Sequence, residues 1–183
     1  FGIWQDGLFD RGLRPLDYLR PLANLNHAII AHGNYLSQEE MEFLGRHSNV
    51  AVAFCPRTHG FFGHSEHPWQ RLMEAGALVC LGTDGCSSNP DYSLWSEVTF
   101  LDGETQGRCR PQLLELATVN GARALGAGDM YGPLTPGRIA DFCVVHLPDR
   151  DGTDPWGILF SPESRIGNAT VVHDRRSCSA RVS

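Results

Sequence analysis

Three short apolar runs, at residues 27–31, 50–54 and 77–81, each pass straight into polar, glycine-bearing sequence and then into a stretch with helical periodicity. That rhythm constrains the fold more than anything else in the chain. Strands that alternate with helices pair in parallel and build α/β sheets or barrels. The runs are continuously apolar rather than alternating, which suits strands covered on both faces. After the first run, Ser37 and Glu40 form a capping box that opens a helix to about residue 46. After the second, Pro68 opens a helix carrying Trp69, Leu72 and Met73, and Gly76 closes it. After the third, Leu94, Trp95, Val98 and Leu101 share one face of a helix over residues 92–101, and a further helix is expected over 111–125. A short amphipathic helix over 16–25 precedes the first strand.

In parallel α/β barrels the loops at the C-terminal ends of the strands carry the chemistry, so the residues that follow each run are the candidates. Asp84, in Gly82-Thr83-Asp84-Gly85, ends the third run. A carboxylate there is placed to bind a metal or to move a proton, and equally to cap a strand-to-helix turn. His32 ends the first run in Ala31-His32-Gly33. An imidazole at that point is a ligand, an acid–base group, or simply a satisfied histidine. Residues 55–64 form a loop after the second run with Arg57, His59, His64 and two phenylalanines. It reads as the wall of a pocket for a polar ligand, or as a glycine-rich connector. His47 and His67 read as surface residues at helix ends.

Three strands do not close a barrel of eight, and 183 residues are fewer than such a barrel uses. Beyond residue 126 the pattern changes to turn-rich sequence at 131–138, a strand over 139–147, a loop over 148–168 and a last strand over 169–173. The expected division is a barrel portion at 1–130, part of a small β-sandwich at 131–175, and a disordered tail at 176–183.

A net charge of −6 argues against nucleic acid as a partner. The arginines at 175, 176 and 181 read as a solvated terminus. No apolar run is long enough to cross a bilayer, so no membrane partner is expected. The six cysteines show no CxxC pair, and Cys55 and Cys80 sit beside Phe54 and Val79 as small buried hydrophobes would. A reducing, cytoplasmic setting is expected. The start at Phe1 rather than Met leaves the question of a leader open. A flavodoxin-like nucleotide-binding domain would carry a glycine-rich phosphate loop, and neither GxGxxG nor GxxxxGK[ST] occurs.

The ordered set Ala31-His32, Cys55-Pro56-Arg57-Thr58-His59 and Leu81-Gly82-Thr83-Asp84-Gly85 with Ser88-Asn89 resembles the amidohydrolase superfamily. The nearest branch is that of cytosine deaminase, chlorohydrolases and S-adenosylhomocysteine deaminases. The likeness continues through residues 117–126 and 132–142, and covers about residues 15–147. It implies a (β/α)8 barrel of which 27–31, 50–55 and 77–83 are strands six to eight, with a β-sandwich after it. It also implies Asp84 as a metal ligand and catalytic group, and His32 as a second catalytic group at the substrate or the attacking water. Arg57, His59, His64 and Asn89 would contact substrate.

The implied activity is metal-dependent hydrolysis of carbon–nitrogen bonds other than peptide bonds, as deamination of a purine- or pyrimidine-like heterocycle. The complete enzyme would use one divalent metal, zinc or iron, act on a small molecule, and form a homo-oligomer. The family's His-x-His pair and its further histidine after strand five have no counterpart here, and a catalytic zinc uses at least three protein ligands. A fragment that is inactive and retains no metal by itself is therefore expected. The alternative is a non-catalytic half-barrel that assembles with a partner chain.

Overall fold

The computed structural model describes residues 12–139, 141–149 and 152–171. The expected tail at 176–183, and the end of the last strand beyond residue 171, lie outside the described residues. The element order is α1 (Pro15–Leu22), β1 (Ala28–Ala31), α2 (Gln38–Gly45), β2 (Val50–Phe54), α3 (Pro56–Phe61), α4 (Trp69–Glu74), β3 (Leu78–Leu81), α5 (Leu94–Glu104), α6 (Arg110–Ala117), α7 (Val119–Ala124), β4 (Phe142–His146), α8 (Pro155–Leu159) and β5 (Arg165–Val171).

The three apolar runs form one parallel sheet in the order β1-β2-β3, in register from Ala28 opposite Val50 to Phe54 opposite Leu81. Parallel strands need a crossover, and the helices between them supply it. One face of the sheet presents Val50, Val52, Phe54, Val79 and Leu81 to Met41, Leu44, Leu72, Val98, Leu101, Leu113 and Leu116. Several of these leucines are fully buried, and truncating any one to alanine costs about 2–5 kcal/mol. The other face carries smaller residues, with Ala51, Leu78, Cys80 and Ala124 in a separate cluster. β2 and β3 are buried almost throughout, whereas β1 alternates and leaves Ile29 44% exposed. A second sheet pairs β4 with β5 antiparallel.

The capping box at α2 forms as expected: the Ser37 hydroxyl accepts from the Glu40 amide, and the Glu40 carboxylate accepts from the Ser37 amide at 2.6 Å. Three expectations need correction. Residues 56–61 are helix rather than loop, because Pro56 fixes the first helical φ and a carboxylate of α5 accepts the Arg57 amide. The single helix expected over 111–125 breaks at Thr118, with φ −125° and ψ −84°. There the Thr118 hydroxyl bonds back to the Leu114 carbonyl at 2.6 Å, while Asn120 donates to the Val79 carbonyl of β3 at 2.9 Å. The loop expected over 148–168 contains α8, capped by Asp154 on the Trp156 amide, and the start of β5.

Candidate active site

β1 and β3 run parallel and end at the same end of the sheet, and a non-glycine residue in the left-handed region follows each: His32 directly after β1 at φ 66°, and Asp84 three residues after β3 at φ 57°. For L-residues that conformation costs roughly 1–2 kcal/mol, so the surroundings must hold it. The His32 amide donates to the Ala53 carbonyl at 2.8 Å, and the Gly82 amide donates to the Phe54 carbonyl at 2.8 Å. The ladder thus runs to His32 itself on one side and to Gly82, two residues short of Asp84, on the other. As a result the two side chains converge, with His32 Nε2 3.7 Å from Asp84 Oδ2 and each side chain nearly two-fifths exposed. A half-open carboxylate beside an imidazole is an arrangement suited to proton transfer with a small molecule.

Asn34, His59, Phe62 and His64 line the same cleft, whose volume is about 100 Å³. His59 Nε2 lies 2.8 Å from the Ser65 carbonyl oxygen, and Nδ1 lies 3.1 Å from the side-chain oxygen Oδ1 of Asn34. Burial lowers the His59 pKa below its ordinary value, which favours the neutral ring. His64 Nδ1 pairs with the Tyr35 hydroxyl at 2.7 Å. His32, Asp84, His59 and His64 are therefore brought together. Arg57 and Asn89 are not among the residues lining this cleft. The Arg57 guanidinium binds Asp91 bidentately at 2.8 and 3.3 Å, and this pairing holds the Asp91 carboxyl below the usual carboxylate range. Asn89, 2% exposed, donates to the Thr83 carbonyl and to Glu97 Oε1, each at 2.6 Å, and so anchors the turn that carries Asp84.

Two residues behind the cleft escape a reading for chemistry at strand ends. Glu97 is fully buried, accepting from the Arg57 amide at 2.9 Å and from Asn89, with the Arg57 guanidinium 3.7 Å away. Its signal in the sequence is an acid within the apolar stripe of Leu94, Val98 and Leu101. His67, expected at the surface, is only 6% exposed; its ring stacks on Phe54 and its Nε2 lies 2.6 Å from the His32 carbonyl. The buried Cys55 and Cys80 thiols are pushed up to about 11 by burial and stay protonated at neutral pH, which disfavours metal ligation. Among the described residues no group of three or more His, Cys, Asp or Glu could hold a metal ion. Asp84 and His32 alone fall short of the three protein ligands of a catalytic zinc. The described residues therefore do not fit a metal site of their own. Nor, among them, is any helix long and apolar enough to cross a membrane.

Comparison with known proteins gives a consistent answer. The chain is 32% identical to the 5-methylthioadenosine/S-adenosylhomocysteine deaminase of Syntrophomonas wolfei over 182 residues, 92% of this chain and 42% of that protein. It is 38% identical to the 5'-deoxyadenosine deaminase of Methanoregula boonei over 125 residues, 64% of this chain and 28% of that protein. Its fold matches an adenosine deaminase of Xanthomonas campestris, solved with bound zinc, at a TM-score of 0.62 and 30% identity, over 73% of this chain and 32% of the other. The chain thus spans less than half the length of the relatives it matches. The profile of the amidohydrolase family covers residues 9–178, and the chain belongs to that family.

Proposed function

We infer that this chain contributes one side of the active site of an aminohydrolase, a hydrolase of carbon–nitrogen bonds other than peptide bonds, acting on a purine- or pyrimidine-like heterocycle. The observation that carries the reading is the convergence of His32 and Asp84 at 3.7 Å on two strand ends. In this reading β1, β2 and β3 are strands six to eight of a (β/α)8 barrel occupying residues 1–130, and β4 with β5 belongs to a small sandwich at 131–175. The uncovered face of β1, with Ile29 exposed, is the surface that further strands would cover.

The geometry supports the following roles in this reading. Water oxygen adds to the ring carbon that bears the amino group, the carbon–nitrogen bond breaks, and ammonia leaves. Asp84 accepts the proton from the water and returns it to the departing nitrogen. His32, within reach of Asp84, hydrogen-bonds the incoming oxygen and fixes its direction. A positioned acid–base group of this kind contributes roughly 10²–10⁴-fold in rate. His59 and His64 form the rim against which the heterocycle lies. Arg57 and Asn89 act from behind, through Glu97 and the Thr83 carbonyl. The cleft of about 100 Å³ is smaller than the 300 Å³ or so at which ligand pockets begin, so other loops must complete it. A divalent metal, zinc or iron, would be held in that completed site by Asp84 together with further ligands that the described residues do not supply.

The experiment is an ammonia-release assay on the full-length protein with adenosine, 5'-deoxyadenosine, guanine and cytosine. Release from at least one of them, with equimolar ammonia and hydroxylated product, supports the reading. No release from any by metal-replete protein overturns it.

A further inference from the structure

His67 stands outside the cleft and in contact with none of the reacting groups, yet it grips the backbone of one of them. Its Nε2 lies 2.6 Å from the His32 carbonyl oxygen. A carbonyl only accepts, so Nε2–H is the donor and the ring is in that tautomer. Its Nδ1 is buried and has no hydrogen-bond partner. A bare, buried ring nitrogen is a loss that a fold does not incur for packing alone, since a phenylalanine would fill the same volume without it. The ring itself is locked: it lies parallel to Phe54 at 3.8 Å between centroids and 12° between planes, and edge-on to His59 at 5.5 Å. Phe54 is the last residue of β2, so the donor is referenced to the rigid sheet rather than to a loop.

The consequence falls on His32. At φ 66° its backbone is in a region that favours glycine, and the next residue, Gly33, is left-handed as well. Three hydrogen bonds hold the turn: the His32 amide to the Ala53 carbonyl, the Gly33 amide to the Ala31 carbonyl at 2.9 Å, and His67 to the His32 carbonyl. The bond from His67 is the one among them that a side chain makes; without it only the local Gly33–Ala31 bond restrains the peptide after His32, and the imidazole is held less firmly in the position that brings it within 3.7 Å of Asp84.

We propose that His67 is a positioning residue of the active site: its Nε2–H bond to the His32 carbonyl fixes the left-handed turn that aims the His32 imidazole at Asp84 and the substrate. The inference rests on the assignment of His32 and Asp84 to the reaction. Burial, which pushes the His67 pKa down to about 4, keeps the ring neutral and the donor in place through the physiological range.

Two variants of the full-length protein separate positioning from packing. His67→Phe keeps a flat ring on Phe54 and removes the donor. His67→Gln removes the ring and keeps a donor where Nε2 stood. The expected result is that H67F loses about 10- to 100-fold in kcat with little change in KM, whereas H67Q keeps kcat within a few-fold of the wild type although it is the less stable of the two. Activity then follows the donor and stability follows the ring. Equal losses in the two variants, or H67F at wild-type kcat, overturn the proposal.

A readout independent of activity is the long-range ¹H–¹⁵N correlation of His67 in histidine-labelled protein. The expected pattern is protonated Nε2 and bare Nδ1 at pH 7 and at pH 5.5; an Nδ1–H tautomer, or titration near 6.5, overturns it. Should the full-length protein deaminate nothing, the functional reading fails, and the NMR pattern still decides whether His67 holds His32.

Discussion

His32 Nε2 and Asp84 Oδ2 lie 3.7 Å apart although 52 positions separate the residues in the chain, and both stand in the left-handed region beyond the end of a parallel strand, His32 directly after β1 and Asp84 three residues after β3. The relationship ties backbone conformation to side-chain function, and substitutions can separate the two. Asn tolerates positive φ and β-branched residues do not. His32→Asn is therefore expected to keep stability within about 0.5 kcal/mol of the wild type while lowering activity strongly, and His32→Val to lose a further 1–2 kcal/mol or so. Urea unfolding of the two variants checks the difference, and equal midpoints would show that the turn carries no strain.

Glu97 closes a buried network: its carboxylate accepts from the Arg57 amide and from the Asn89 amide group, with the Arg57 guanidinium 3.7 Å away. Removing it takes the acceptor from the Arg57 amide, takes one of two acceptors from the Asn89 amide group, and leaves the Arg57 guanidinium to Asp91 alone. Glu97→Ala is expected to cost roughly 3–5 kcal/mol, the range for breaking a buried, hydrogen-bonded charge pair. Glu97→Gln, which keeps the acceptor to one side, should cost clearly less. Chemical denaturation monitored by circular dichroism gives both values.

Stability should fall on mild acidification, and His67 sets the window. Its folded-state pKa is held at about 4 by burial against an ordinary value of 6.5, so the unfolded chain takes up the proton first. The contribution is fully present above about pH 6.5 and is lost as pH falls toward 4, up to roughly 3 kcal/mol. His59, also lowered by burial, adds in the same direction. Unfolding midpoints measured from pH 7.5 to 5 should decline for the wild type and decline less steeply for H67Q. Parallel profiles would show that His67 is not the titrating group.

Metal content offers a separate check. With no group of three or more potential ligands among the described residues, a polypeptide of these 183 residues should copurify with far less than one equivalent of zinc or iron. Elemental analysis after gel filtration measures this directly. Stoichiometric metal in a monomer would contradict it.

The strands and the capping box were legible because each rests on local chemistry: continuous apolar residues for β1 to β3, and Ser37 with Glu40 for α2. His32 and Asp84 were legible for the same reason, since His32 directly follows such a strand and Asp84 stands three residues beyond one. What escaped depends on partners distant in sequence. Helix α3 owes its first turn to Glu97, 40 residues from Arg57. The break at Thr118 follows Asn120 reaching back to Val79. His67 next to Pro68 looks like a helix-end residue until the fold lays it on Phe54. Arg57 carries a cation beside the cleft, and only the folded chain reveals that Asp91 and Glu97 engage it first.

The central claim is that the Asp84 carboxylate moves the proton in a hydrolytic deamination. Asp84→Asn retains the side-chain shape and tolerates φ 57°, so it removes the charge and the basicity with little disturbance of the turn. The decisive measurement is the steady-state rate of ammonia release from adenosine-type nucleosides by full-length wild-type and D84N proteins of matched circular dichroism. A fall of about 10³-fold or more in kcat for D84N is the predicted result. A D84N protein that releases ammonia at the wild-type rate would contradict it.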